Sequence, residues 1–128
     1  MKILRTISGL ALAVSASVAM AGEIKPYTPQ AFDQLTHAGK PVIVDVSATW
    51  CPTCKAQRPI VENLMKQAAY LDVTVLAVDF DTNRAALKKF KVNMQSTLVA
   101  FKGTSEVGRS VGDTTPSGIE DLIRKTDH

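Results

Sequence analysis

The chain contains few of the residues that build disulfide scaffolds or bind metals. Among its 128 residues there are only two cysteines and two histidines. Small exported domains that depend on disulfides use several long-range ones, so we do not expect a disulfide scaffold. Aromatic residues make up 5% and the formal net charge is only +3. Nucleic-acid binding requires a broader basic patch with interleaved aromatic side chains, so we expect no nucleic-acid partner.

The sequence also lacks an apolar run long enough to span a membrane. The 16 residues from 6 to 21 include three serines, whereas a spanning helix needs about 20 apolar residues. Lys2 and Arg5 precede this run, and Ala19-Met20-Ala21 has the small-residue pattern of a signal-peptide cleavage site. We therefore expect residues 1–21 to be a signal peptide that is cleaved after Ala21. The mature chain is then exported, to a bacterial periplasm, without a membrane anchor.

Residues 22–128 are expected to form one domain, in which strand and helix patterns alternate. A continuous β-branched run at 41–47 predicts a strand buried on both faces. The other predicted strands cover 73–80, 96–103 and 106–112, and the predicted helices cover 29–38, 54–70, 83–90 and 116–125. The expected helix caps are Thr28, Asp81 or Thr82, and Thr115, and the expected core aromatics are Phe32, Phe80, Phe90 and Phe101. This order predicts an α/β fold with a mixed sheet covered by helices on both faces.

The two cysteines lie three positions apart, between the predicted strand 41–47 and the helix that follows. As a structural staple, the pair would close a loop of only four residues, which stabilises a fold by about 2 kcal/mol. As metal ligands, Cys51 and Cys54 suit two-coordinate Cu(I), with Met94 as a candidate helper. A closed zinc site would need further ligands, and the remaining candidates are Met65, His37 and His128.

A redox function explains more of the surroundings of this pair. Unpaired N–H groups at the start of a helix favour a thiolate at Cys51, and the thiolate is the form that attacks disulfides. We expect this sulfur to be ionised and open to solvent, with Cys54 one turn later to resolve the mixed disulfide. Asp45, six residues before Cys51 in the buried strand, is expected to have a raised pKa and to exchange the proton of Cys54. The alternative is a hydrogen-bonded aspartate at the end of the strand.

The stretch VIVDVSATWCPTCK, followed by Pro59, resembles the thioredoxin family, and the resemblance extends from about residue 24 to 126. It implies a thioredoxin fold, no cofactor, and dithiol–disulfide exchange with client proteins, with Cys51 as nucleophile and Cys54 as resolving residue. It also implies a groove beside Trp50 that includes Gly112. The dipeptide Pro52-Thr53, at the rim of that groove, is similar to the W-C-P-T-C motif of the periplasmic reductants of cytochrome c maturation.

The sequence departs from the family where a cis-proline usually precedes threonine, because here Ser96 precedes Thr97. A cis bond before a non-proline residue costs roughly 2.5–4 kcal/mol, so either the bond is cis and strained, or it is trans and the loop is reshaped. We consider three roles for Ser96: a hydrogen bond to the Cys51 thiolate, an opening for a metal ion, or a cap at the start of the strand. Ala77 stands where a lysine often neighbours the buried acid, which should raise the pKa of Asp45 further.

The sequence thus predicts a monomeric exported thiol–disulfide oxidoreductase, acting as a reductant that receives electrons from a membrane thiol transporter. The alternatives are a Cu(I)-binding module that uses Cys51 and Cys54, or an interaction protein that has lost turnover.

Overall fold

A computed structural model describes residues 9–13 and 21–127 of the chain. The predicted signal peptide overlaps these ranges only at residues 9–13 and at Ala21, so most of it lies outside the described residues. Within the described ranges, no helix is long and apolar enough to cross a membrane.

Strands and helices alternate along residues 23–102, and a further strand and a last helix follow up to residue 124. From residue 29 onward this is the predicted order. The strands are β1 (Glu23–Pro26), β2 (Pro41–Ser47), β3 (Thr74–Asp79), β4 (Thr97–Lys102) and β5 (Ser105–Val111). The helices are α1 (Pro29–His37), α2 (Pro52–Met65), α3 (Arg84–Phe90) and α4 (Pro116–Arg124), with a short 3-10 helix at Ala68–Tyr70.

The strands form one mixed sheet in the order β1-β3-β2-β4-β5. Strands β1 and β2 both run parallel to β3, whereas β4 is antiparallel to β2 and to β5. The mixed sheet and the α/β class agree with the prediction. The edge strand β1 was not predicted.

The side chains of β2 alternate between two hydrophobic clusters, one on each face of the sheet. Val42, Val44 and Val46 pack with residues of α1 and α3, and Ile43 packs with residues of α2 and α4. Asp45 has the same parity as Ile43, so it lies on the face that α2 covers. The four predicted core phenylalanines all join the first cluster, where Phe80 is only partly buried.

The prediction was wrong at both ends of α2 and at the cap of α3. Helix α2 begins at Pro52 rather than 54 and ends at Met65, and the predicted remainder contains only the 3-10 helix. The cap of α3 is Asn83, whose side chain accepts from the backbone N–H of Ala86 at 3.1 Å. The predicted caps, Asp81 and Thr82, both precede Asn83, and the N–H of Asp81 donates to the Asp79 carboxylate at 2.8 Å in the turn before the helix.

Candidate active site

The two cysteines lie at the amino end of α2. Strand β2 ends at Ser47, and the chain then turns so that Cys51 becomes the N-cap residue of the helix. The Cys51 Sγ accepts a hydrogen bond from the backbone N–H of Cys54 at 3.2 Å. The two residues form a disulfide with a Cα–Cα distance of 5.3 Å. This is the predicted arrangement, in which unpaired helix N–H groups point at the first sulfur.

The prediction that the Cys51 sulfur is open to solvent was wrong for this disulfide form. Cys51 is 5% exposed and Cys54 is 4% exposed. They form a small buried cluster with Ala48, and Phe80 packs against it. Ser96 lies against both sulfurs and is itself buried, which accounts for the small exposure of Cys51 in the disulfide form.

The loop before β4 is reshaped around Ser96. Among the described residues there is no cis peptide bond, and Ser96 adopts a left-handed backbone conformation with φ of 58°. Its hydroxyl oxygen lies 3.2 Å from the Cys51 Sγ and 3.1 Å from the Cys54 Sγ. Of the two backbone alternatives, the trans, reshaped loop is the observed one. The predicted proximity to Cys51 is confirmed, and the contact with Cys54 was not foreseen.

The residues predicted to frame a substrate groove divide into exposed and buried groups. Trp50 is 56% exposed, and its indole N–H donates to the Asp81 carboxylate at 2.9 Å. Pro52 and Gly112 are exposed, and Thr53 is partly exposed. These four residues can contact a client.

Thr97 does not form part of an open groove. It is 2% exposed, and its hydroxyl donates to the Met94 carbonyl at 2.8 Å. Thr97 therefore supports the loop from inside, and its predicted place on the groove surface was wrong. Two apolar side chains near this loop are exposed instead, Met94 at 51% and Val111 at 57%, and sequence reasoning did not assign Val111 to the site.

Asp45 has the raised pKa that its position predicts. Burial raises the pKa of its carboxyl to about 6, and the Arg58 guanidinium opposes this shift. The cation that neighbours the acid thus comes from α2, since β3 provides only Ala77 beside Asp45. Asp45 and Arg58 also line one cleft of about 200 Å³. No hydrogen bond joins the Asp45 carboxyl to either cysteine in the part of the chain that the structure describes, so its proton-transfer role stays a prediction.

Gln57 is a site residue that the sequence analysis missed. It is 2% exposed, and its amide N–H groups donate to the Ser96 carbonyl at 3.2 Å and to the Asp113 carbonyl at 2.7 Å. A signal was available, because Gln57 follows Cys54 by three positions on the same buried helix face as Val61. A polar residue at such a position needs hydrogen-bond partners.

Two of the candidate metal ligands, His37 and Met65, lie away from the cysteines. His37 ends α1, which precedes β2, whereas the cysteines follow the opposite end of that strand. Met65, the last residue of α2, is buried in the hydrophobic cluster that also contains residues of α4, and His128 lies outside the described residues. Over residues 9–13 and 21–127, no three His, Cys, Asp or Glu side chains form a group that could hold a metal ion. Two-coordinate Cu(I) binding by the reduced cysteines needs no further ligand, and it stays a prediction.

Comparisons with known proteins give a consistent result. A family model described as thioredoxin matches residues 23–125. A thioredoxin of Mycobacterium tuberculosis is 41% identical over 75 residues, which cover 59% of this chain and 64% of that protein, less than two thirds of its length. A thioredoxin of Coprinus comatus is 30% identical over 95 residues, covering 74% of this chain and 89% of the relative. The crystal structure of Trxlp from Edwardsiella tarda is similar with a TM-score of 0.76 and 45% identity, covering 80% of this chain and 98% of that one.

Proposed function

The chain belongs to the thioredoxin family of thiol–disulfide oxidoreductases, and we propose that it exchanges its Cys51–Cys54 dithiol with the disulfides of client proteins. The observation that carries this proposal is the position of the Cys51 sulfur as N-cap of α2, with Cys54 bonded to it one turn later. The donors at that helix end favour the thiolate form of Cys51.

The exchange takes place in two steps. The Cys51 thiolate attacks one sulfur of a client disulfide, forming a mixed disulfide and releasing the other client sulfur as a thiolate. The Cys54 sulfur, after losing its proton, then attacks the Cys51 Sγ, so that the second client sulfur leaves and both client sulfurs take up protons. The client gains two electrons, and the Cys51–Cys54 pair is oxidised to the disulfide.

We further propose that the protein is an exported, monomeric reductant. Export is supported by the basic start and the Ala19-Met20-Ala21 pattern. The reductant role is supported by the uninterrupted thioredoxin layout of residues 23–124, which carries no inserted helical domain. A reductant in an oxidising compartment needs electrons from elsewhere, and a membrane thiol transporter is the proposed donor. Cleavage after Ala21 predicts that the mature chain begins at Gly22, and its intact mass measures this.

Client recognition is assigned to the exposed side chains around the sulfur pair. Trp50 and Met94 are large hydrophobic side chains that remain more than half exposed. Exposed apolar side chains near a reactive group commonly mark an interaction surface. With Pro52 and Val111, they offer an extended client segment an apolar surface beside Cys51.

Reduction of insulin disulfides tests the activity. The wild-type protein, kept reduced by dithiothreitol, should accelerate insulin precipitation well above dithiothreitol alone, and Cys51→Ser should not. Trp50→Ala should weaken turnover while leaving the thiols intact. Tight stoichiometric Cu(I) binding by the reduced protein, together with no acceleration of insulin reduction, would instead favour the copper-binding alternative.

A further inference from the structure

The backbone of Ser96 is held in a conformation that serine seldom adopts. Among the described residues, the only non-glycine residues with positive φ are Ser96 and Lys91. A left-handed conformation costs an L-residue roughly 1–2 kcal/mol, so surrounding contacts must hold it in place. The Ser96 carbonyl accepts two hydrogen bonds, from the backbone N–H of Gly112 at 3.0 Å and from the Gln57 amide at 3.2 Å.

Gln57 connects the helix that carries the cysteines to the two loops that face them. Its amide donates to Ser96, before β4, and to the Asp113 carbonyl, after β5. Both amide hydrogens are therefore used, and the side chain is buried. A buried amide that has satisfied its donors keeps one orientation, because breaking these bonds would leave polar groups unpaired. The position of Ser96 relative to Cys54 is fixed by this connection.

The Ser96 hydroxyl lies within hydrogen-bond distance of both cysteine sulfurs. Its oxygen is almost equidistant from the Cys51 and Cys54 Sγ atoms, and a serine hydroxyl can rotate to donate to either one. In the described part of the chain, no other side-chain group forms a hydrogen bond with either sulfur.

We propose that Ser96 is a further catalytic residue, whose hydroxyl donates to whichever cysteine sulfur carries the negative charge, and that Gln57 is the positioning residue for it. This inference rests on the proposed exchange activity. In the reduced protein the hydroxyl stabilises the Cys51 thiolate, and in the mixed disulfide it stabilises the Cys54 thiolate that attacks Cys51. No proton leaves Ser96 in either step, and the electrons move only between sulfurs.

The test is a pH titration of the thiols in the full mature protein in its reduced form. The ultraviolet absorbance of the thiolate is the readout. Ser96→Gly removes the hydroxyl and suits the positive φ, so the loop conformation is kept. The midpoint of Cys51 ionisation should move upward by about one unit, since a hydrogen bond to a charged group is lost. Ser96→Ala provides a second variant without the hydroxyl and should move the midpoint in the same direction.

Gln57→Met tests the positioning role, because methionine fills a similar volume without an amide. Gln57→Met should also raise the midpoint of Cys51 ionisation. Adding Ser96→Gly should raise this midpoint no further, because both changes remove the same hydrogen bond from Ser96 to the thiolate. Gln34→Met, at an exposed glutamine of α1, is the matched control and should leave the midpoint unchanged.

The charged groups around the cysteines are the same in all these variants. They lie on β2 and α2 and after β3 and β5: Asp45, Lys55, Arg58, Glu62, Asp81 and Asp113. A shift in the midpoint of Cys51 ionisation therefore comes from the loss or displacement of the Ser96 hydroxyl and not from a change of local charge.

Two results would overturn the inference. Wild-type midpoints in both Ser96→Gly and Ser96→Ala would remove the catalytic role of the hydroxyl. A shift in these variants but none in Gln57→Met would remove the positioning role. The titration needs no client, so failure of insulin reduction with an intact Ser96 effect would count against the proposed function alone.

Discussion

At the scale of single residues, the site differs from the family pattern mainly at Ser96. A rigid proline would offer no donor to the sulfurs, whereas serine at this position places a hydroxyl within 3.2 Å of both. The sequence alone identified this position and one of the two contacts. It did not predict the left-handed backbone, because that conformation depends on hydrogen bonds from Gln57 and Gly112, which are distant in the chain.

Asp45 gives a prediction about stability at this scale. Its pKa is raised from 3.8 to about 6, so the folded state favours the protonated carboxyl. The resulting stabilisation is fully present below about pH 3.8 and is lost as the pH rises through about 6. Asp45→Asn removes the buried charge, so it should raise the free energy of unfolding at pH 8 by up to about 3 kcal/mol, and the gain should vanish toward pH 4.

Urea unfolding at pH 4, 6 and 8 measures this difference. Asp72→Asn, at an exposed aspartate, is the control and should show no comparable pH dependence. An Asp45→Asn variant that is equally stabilised at all three pH values would mean that the carboxyl does not titrate differently in the folded and unfolded chains.

At the scale of helices and strands, the sequence was most informative where side chains determine the local structure. Thr28 and Thr115 were predicted as caps, and each side chain accepts the expected hydrogen bond, from Ala31 and Gly118 respectively. Strand β1 was missed because Glu23–Pro26 is short and mostly exposed, so its pattern resembles a loop. Its strand conformation comes from pairing with β3, which is a tertiary contact.

The cap of α4 gives a prediction for this scale. The Thr115 hydroxyl accepts from the backbone N–H of Gly118 at 3.2 Å. Thr115→Ala leaves that donor without its partner and should lower the free energy of unfolding by about 1 kcal/mol. The neighbouring Thr114→Ala is the matched control at an exposed position. Denaturant unfolding of the two variants should separate them, and equal stabilities would contradict the capping role.

At the scale of the whole molecule, the fold brings together three chain segments that are far apart in sequence. The end of β2 leads into the cysteines, the loop before β4 carries Ser96, and the loop after β5 carries Gly112 and Asp113. The sheet order β3-β2-β4-β5 places these loops at the end of the sheet where α2 begins. Local patterns predicted each segment, but Gln57 shows why the connections between segments could not be predicted. Its partners are 39 and 56 residues away.

We propose that the Cys51 sulfur attacks client disulfides and that Cys54 releases the product. The most direct test is Cys54→Ser, mixed in its reduced form with insulin and analysed by intact mass under non-reducing conditions. We predict a covalent adduct of the protein with an insulin chain, which dithiothreitol releases and which Cys51→Ser does not form. A Cys54→Ser protein that forms no adduct, although it is folded and its Cys51 is shown to be a free thiol, would contradict the account.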